Sequence, residues 1–328
     1  MQGYSIAIRT LGTAGVKYKL LLESIKKAAI QPEKVVVVLP FGYALPEDRL
    51  GCEEFVFCRK SMIVQRLEAL KHIDSAYTLF LDDDIAFEPD FVEKLLRPLE
   101  SGEYDCSTGP LFSFFPRSTA GAIAGTLTGS VSVSLFNRDK YVKILRSGGW
   151  SYHRFDTSKE RLYPTESFAW TCFCIKTDVM RKIDMEDEIV WIEKNQYAYG
   201  DDRVMAYKLV KRGYKACVVA NALYTHNDGR TSTSKEEIDY SKQFFCRGFF
   251  QIVFWDRYIR KLESSGLLQM IDRFCINYWI LGMLVYHLLK SLLNGKHWKN
   301  TKEFYKGVKE GFKYTLSDEY LELPSVCP

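Results

Sequence analysis

Residues 34–40 read KVVVVLP, and four consecutive valines leave no polar face to turn toward water. A run of that kind suits a strand covered on both sides, as in a parallel sheet between two helical layers. The neighbouring sequence agrees. YSIAIRT (4–10) has a strand pattern, and VKYKLLLESIKKAA (16–29) the periodicity of an amphipathic helix. EFVFCR (54–59), MIVQRLEALKHI (62–73) and YTLFL (77–81) continue as strand, helix and strand. This alternation predicts an α/β fold with a doubly wound, mostly parallel sheet flanked by helices. Ligands of such sheets bind beyond the carboxyl ends of the strands. Thr10, Leu39–Pro40, Arg59–Lys60 and Asp82–Asp84 are therefore expected along one edge.

At the last of those positions, YTLFLDDDIAFEPDFVEKLL (77–96) delivers three consecutive carboxylates, Asp82, Asp83 and Asp84. Two such charges about 4 Å apart repel by roughly 4 kcal/mol at a surface-like dielectric. The cluster is either an acidic turn spread into solvent ahead of the helix after Pro89, or a set of ligands for a hard divalent cation. Its place at the sheet edge, with Arg59, Lys60 and Arg66 upstream, favours the second reading. Asp201 and Asp202 open a helix in YGDDRVMAYKLVKRGYK (199–215), which stops at Gly213. Capping alone accounts for such a pair, the alternative being an ionised aspartate ready to take a proton from a hydroxyl. His226 ends a strand in LYTHND (223–228), and with Asp84 it would make a mixed O/N site suited to Mn²⁺ better than Mg²⁺.

Taken in order, these motifs resemble a family 2 glycosyltransferase of the GT-A fold, over roughly residues 4–228. The DxD motif is matched by Asp82-Asp83-Asp84, the acidic pair by Asp201-Asp202, and the later metal-ligand histidine by His226. The resemblance implies a nucleotide-sugar donor, UDP-sugar favoured, with Arg9, Thr10, Arg66, Asp82 and Asp83 around it. It implies Mn²⁺ or Mg²⁺ on Asp84 and His226, Asp202 as general base, and Asp201 orienting the acceptor. The implied reaction is inverting transfer of a hexose-type sugar to a hydroxyl of a glycan or lipid-linked acceptor in surface-polysaccharide assembly. Three departures are visible. No acid follows the second strand to read the base except Glu47 or Asp48, Gln65-Arg66 approximates the usual Arg-Asn pair, and Asp201 replaces a glutamate. A sugar-phosphate nucleotidyltransferase would use the Gly-rich stretch RTLGTAGVKYK (9–19) with Lys17. A carbohydrate-binding or scaffold protein would lack a catalytic group, and here every one is present.

The 328 residues, 47% of them hydrophobic, suffice for a catalytic domain over 1–232 and a helical region over 233–328. A net charge of +4 gives no footprint for nucleic acid. Nine cysteines without a CxxC pair read as reduced and mostly structural. The N-terminus enters a strand without a signal-peptide pattern, so a cytoplasmic location is expected. Residues 118–137 carry no charge and read as a Gly-rich loop, then a strand with Val131, Val133 and Leu135 on one face. The apolar stretch 276–289 is too short to span a bilayer. From Phe244 to Lys313, 12 Lys/Arg stand against 5 Asp/Glu among many aromatics. That pattern suits either an anionic membrane surface, at its inner face, or a helical hairpin packed on the main domain. Phe112, Phe114, Phe115, Trp150, Tyr152 and Trp170 are candidates to stack on acceptor sugars, although at least half are expected in the core.

Overall fold

A computed structural model describes residues 3–134, 138–195, 199–227, 240–295 and 297–327. The chain divides into two compact units, Met1–Leu111 with Phe155–Glu186 and Gly213–Ile238, and Phe112–Arg154 with Asp187–Arg212 and Asp239–Pro328. The boundary expected at 232/233 lies outside the described residues, as does Leu135.

In the first unit β1 (Tyr4–Arg9), α1 (Val16–Lys27), β2 (Lys34–Pro40), β3 (Glu54–Cys58), α2 (Val64–Leu70) and β4 (Tyr77–Asp82) follow one another as the periodicity predicts. β5 (Ile85–Phe87), α3 (Phe91–Glu100) and β6 (Cys106–Thr108) come next. The main sheet runs Leu162–Pro164, Ala216–Val219, β6, Cys172–Lys176, β4, β1, β2, β3. β3-β2-β1-β4 pair in parallel, and Cys172–Lys176 enters antiparallel between β4 and β6. The sheet is mostly parallel, as expected. The valine run is explained by cover on both faces. Val35, Val37 and Leu39 join one cluster with Leu21, Leu22 and Ile25 of α1 and Phe91, Leu95 and Leu99 of α3. Val36 and Val38 point the other way and are fully buried as well. All nine cysteines are free, and six of them are buried.

The second unit holds a small sheet of Val131–Val133, Trp150–Tyr152 and Val142–Ile144, with the C-terminal helices Tyr240–Trp255, Gly266–Leu293 and His297–Tyr314. The uncharged stretch differs from expectation. Its first half is a helix, Thr119–Leu127, because Ser118 caps it by accepting from the Gly121 amide at 3.1 Å. The apolar stretch at 276–289 lies inside the longer helical pattern of residues 267–293. The helix Gly266–Leu293 has 28 residues, since Ser265 supplies an N-cap upstream and Asp272 and Arg273 are accommodated within it. By length and composition alone it is long enough to cross a membrane.

Candidate active site

Parallel register brings the strand ends of the first unit into line. Arg9 pairs across from Asp82, and Pro40 across from Cys58. Thr10 and the three aspartates therefore meet where β1 and β4 end.

Each aspartate is held differently. Asp82, 6% exposed, receives Nη2 of Arg66 on Oδ1 at 2.7 Å and Nη2 of Arg9 on Oδ2 at 2.9 Å. Burial pushes this carboxyl up, but the Arg9 and Arg66 guanidiniums outweigh it and hold Asp82 below the usual carboxylate range. Arg66 is itself fixed. It donates to the carbonyls of Met62 at 2.8 Å and Trp170 at 2.7 Å, and its guanidinium lies 4.7 Å from the Trp170 ring centroid. Asp83 accepts from the Thr10 hydroxyl at 2.6 Å, and burial pushes its carboxyl up to about 6 against that hydrogen bond. Gln65 locks the Thr10 end of β1 by donating to the carbonyls of Thr10 and Val38, at 3.1 and 2.9 Å.

Asp84 turns toward the strand Tyr224–His226, which pairs antiparallel with β5 and sets His226 opposite Ile85. Nε2 of His226 lies 3.4 Å from Oδ1 of Asp84. Two ligands at right angles on a cation with bonds of about 2.1 Å would be about 3 Å apart, so this spacing fits a shared divalent ion. Among the described residues no three His, Cys, Asp or Glu side chains converge on one point. The pair is therefore an open site, which suits a hard cation that completes its shell with water and phosphate oxygens. Asn227 clips the loop by donating its backbone and side-chain amides to the Asp84 carbonyl, at 2.9 and 3.1 Å. Sequence reading passed over Asn227, whose one signal was adjacency to His226. All three aspartates are buried. That excludes an acidic turn spread into solvent, and α3 begins only at Phe91.

Asp201 and Asp202 belong to the second unit, in the first turn of the helix Asp201–Lys211. The N-cap position is held by Gly200 at φ 75°, so neither aspartate is the cap residue. A side chain there would be strained, and its Cβ would run into the Phe250 ring. Asp201 is buried, and Asp202 accepts from the Arg203 amide at 2.7 Å. The same helix is anchored by an ion network that sequence reading missed. Lys208 and Glu188 are fully buried, with Nζ 2.9 Å from Oε1. Arg257 forks onto Glu188 with two contacts of 2.8 Å. Burial raises the Glu188 carboxyl, yet Arg257 and Lys208 bring it down to about 2. Of the candidate sugar-stacking aromatics, Phe115, Tyr152 and Trp170 are buried, whereas Phe114 is 54% exposed.

Residues 58–182, which include the three aspartates, match the family model described as glycosyl transferase family 2. Among solved structures, the crystal structure of GalNAc-T7 with UDP, GalNAc and Mn²⁺ is similar at TM-score 0.51 and 12% identity, over 99% of this chain and 59% of that one. The chain thus spans about three fifths of that protein's length. The mannosyltransferase PcManGT from Pyrobaculum calidifontis, in complex with GDP-Man and Mn²⁺, is similar at TM-score 0.50 and 11% identity, over 95% of this chain and 87% of that one. At such identities the likeness is one of fold, and the GT-A architecture expected from the sequence is present. No curated protein matches the chain.

Proposed function

We propose that this chain is a metal-dependent inverting glycosyltransferase. It moves a hexose-type sugar from a nucleotide-sugar, UDP-sugar favoured, to a hydroxyl of a glycan or lipid-linked acceptor in surface-polysaccharide assembly at the cytoplasmic membrane face. The observation that carries the reading is the separate bracing of three adjacent buried aspartates at the sheet's carboxyl edge. Two arginines hold Asp82, a threonine holds Asp83, and Asp84 is left beside a histidine. The family match over 58–182 supports transferase chemistry. The UDP, GDP-Man and Mn²⁺ of the two solved structures support the donor class and the metal.

Mn²⁺ or Mg²⁺ held by Asp84 and His226 would neutralise charge on the leaving diphosphate. Arg9, Thr10, Arg66, Asp82 and Asp83 bind and orient the nucleotide-sugar. Asp202 takes the proton of the acceptor hydroxyl while that oxygen bonds to the anomeric carbon, and Asp201 orients the acceptor. The bond from the anomeric carbon to the diphosphate oxygen breaks, the nucleoside diphosphate leaves, and direct displacement inverts the centre.

Purified protein given UDP-sugars, Mn²⁺ and glycan acceptors should release UDP. Asp202→Asn should cut turnover by about 10²–10⁴-fold, the usual worth of a general base, with donor affinity kept. Wild-type turnover in that variant would remove Asp202 from the base role.

A further inference from the structure

We propose that the outward face of the helix Gly266–Leu293 is an interfacial docking surface that lies in the headgroup plane of an anionic bilayer. The inference deepens the membrane placement proposed above. It rests on this surface alone, so its failure would leave the transferase reading standing.

The face is long, apolar and unaccompanied by acids. Leu267 (69% exposed), Phe274 (71%), Leu281 (61%), Val285 (47%), Leu289 (56%) and Leu292 (74%) recur at helical spacing along one side. At a rise of 1.5 Å per residue the helix is about 42 Å long. The only charged residues exposed on it are Arg273 and Lys290, both positive. Its one acid, Asp272, is fully buried and paired with Arg146 at 2.7 Å. Monomeric proteins rarely leave so large an apolar patch uncovered without a use for it.

The uncharged segment that the catalytic reading leaves unused adjoins the same helix. The Tyr278 hydroxyl donates to the Leu127 carbonyl at 2.6 Å, and Leu127 and Ile123 of the helix Thr119–Leu127 are 64% and 55% exposed. An apolar strip one helix wide thus gains a second apolar flank. The helix that follows, His297–Tyr314, carries five lysines against two glutamates. It exposes Trp298, Tyr305 and Phe312 seven residues apart.

Charge decides the occupant. A second copy of this helix laid along the face would offer Arg273 and Lys290 no exposed acid, because Asp272 is buried. An anionic lipid surface complements them and the following lysines, each worth about tenfold or less in affinity. The opposite side of the helix decides the depth. Asp272, Trp279, Met283 and His287 are buried there, within the unit's own packing, where Trp279 donates to Ser130 Oγ at 3.0 Å. With that side committed to protein, the helix lies on the membrane rather than across it.

The test is cosedimentation of the full chain with vesicles of phosphatidylcholine alone or mixed with phosphatidylglycerol, at 50 and 500 mM NaCl. The expected result is at least tenfold tighter binding to the mixed vesicles, weakened by salt and released by alkaline carbonate. Phe274→Glu with Leu281→Glu should lower binding by at least tenfold while the melting temperature is kept. Val285→Ser with Leu289→Ser serves if the first pair does not fold. Equal binding by a folded variant, no binding by the wild type, or retention after carbonate would each overturn the proposal. So would a dimer in solution that the same substitutions make monomeric.

Discussion

Arg66 does three jobs with one guanidinium. It neutralises Asp82, satisfies two backbone carbonyls and lies over the Trp170 ring. Lysine has no planar fork to repeat this, so Arg66→Lys is not a conservative change. Removal of one partner from a buried pair costs about 3–5 kcal/mol, and the Arg9 contact that remains should moderate the loss. We expect Arg66→Ala to be about 2–3 kcal/mol less stable by urea denaturation and to weaken nucleotide binding. Unchanged stability would show that Arg9 alone suffices for Asp82. At this scale much of the site was legible. Asp82, Asp83, Asp84, Thr10, Arg9, Arg66 and His226 all belong to the first unit, and the hydrogen bonds and ion pairs above join them into three groups. Residue type and strand end were enough to point to them. Trp170 is open in the sequence between stacking platform and core, because a single aromatic gives no periodicity to separate the two, and the structure buries it under an arginine.

Among the elements, the helix Asp201–Lys211 depends on charges it hides. Glu188 is folded with a carboxyl near pKa 2, below its ordinary 4.5. Its depressed value means that its stabilising contribution is complete above about pH 4.5 and is lost as pH falls from there toward 2. Glu188→Gln should therefore cost about 3–5 kcal/mol at pH 7, since Arg257 and Lys208 lose their carboxylate. The stability gap between wild type and variant should narrow below pH 4.5 in urea titrations. A gap that stayed constant down to pH 2 would contradict the assignment. No sequence pattern announces this network, because a lysine and a glutamate in separate amphipathic helices look solvent-facing until the helices are packed. Elements themselves were most legible where periodicity was strong, as in β1 to β4. They were least legible at Thr119–Leu127, where Gly121 and Gly125 suggested a loop and the Ser118 cap decided for helix. Gly266–Leu293 follows the helical pattern of LLQMIDRFCINYWILGMLVYHLLKSLL (267–293), although Asp272 and Arg273 break its apolar run and Asp272 pairs internally with Arg146.

For the whole molecule, the chain combines a sheet-edge site in one unit with an acidic helix start and an apolar helical face in the other. The first was visible as alternation and motif, whereas the division into units was not, since each is assembled from three separated stretches. On the function proposed above, the three aspartates form a metal-assisted nucleotide site. The most direct test is calorimetry of UDP, GDP, CMP and dTDP binding, each with and without Mn²⁺, for the wild type and Asp84→Ala. One nucleotide should bind, Mn²⁺ should strengthen its binding, and Asp84→Ala should lose the metal-dependent part. Binding that ignores Mn²⁺ and the substitution alike, or no binding of any nucleotide, would contradict that function.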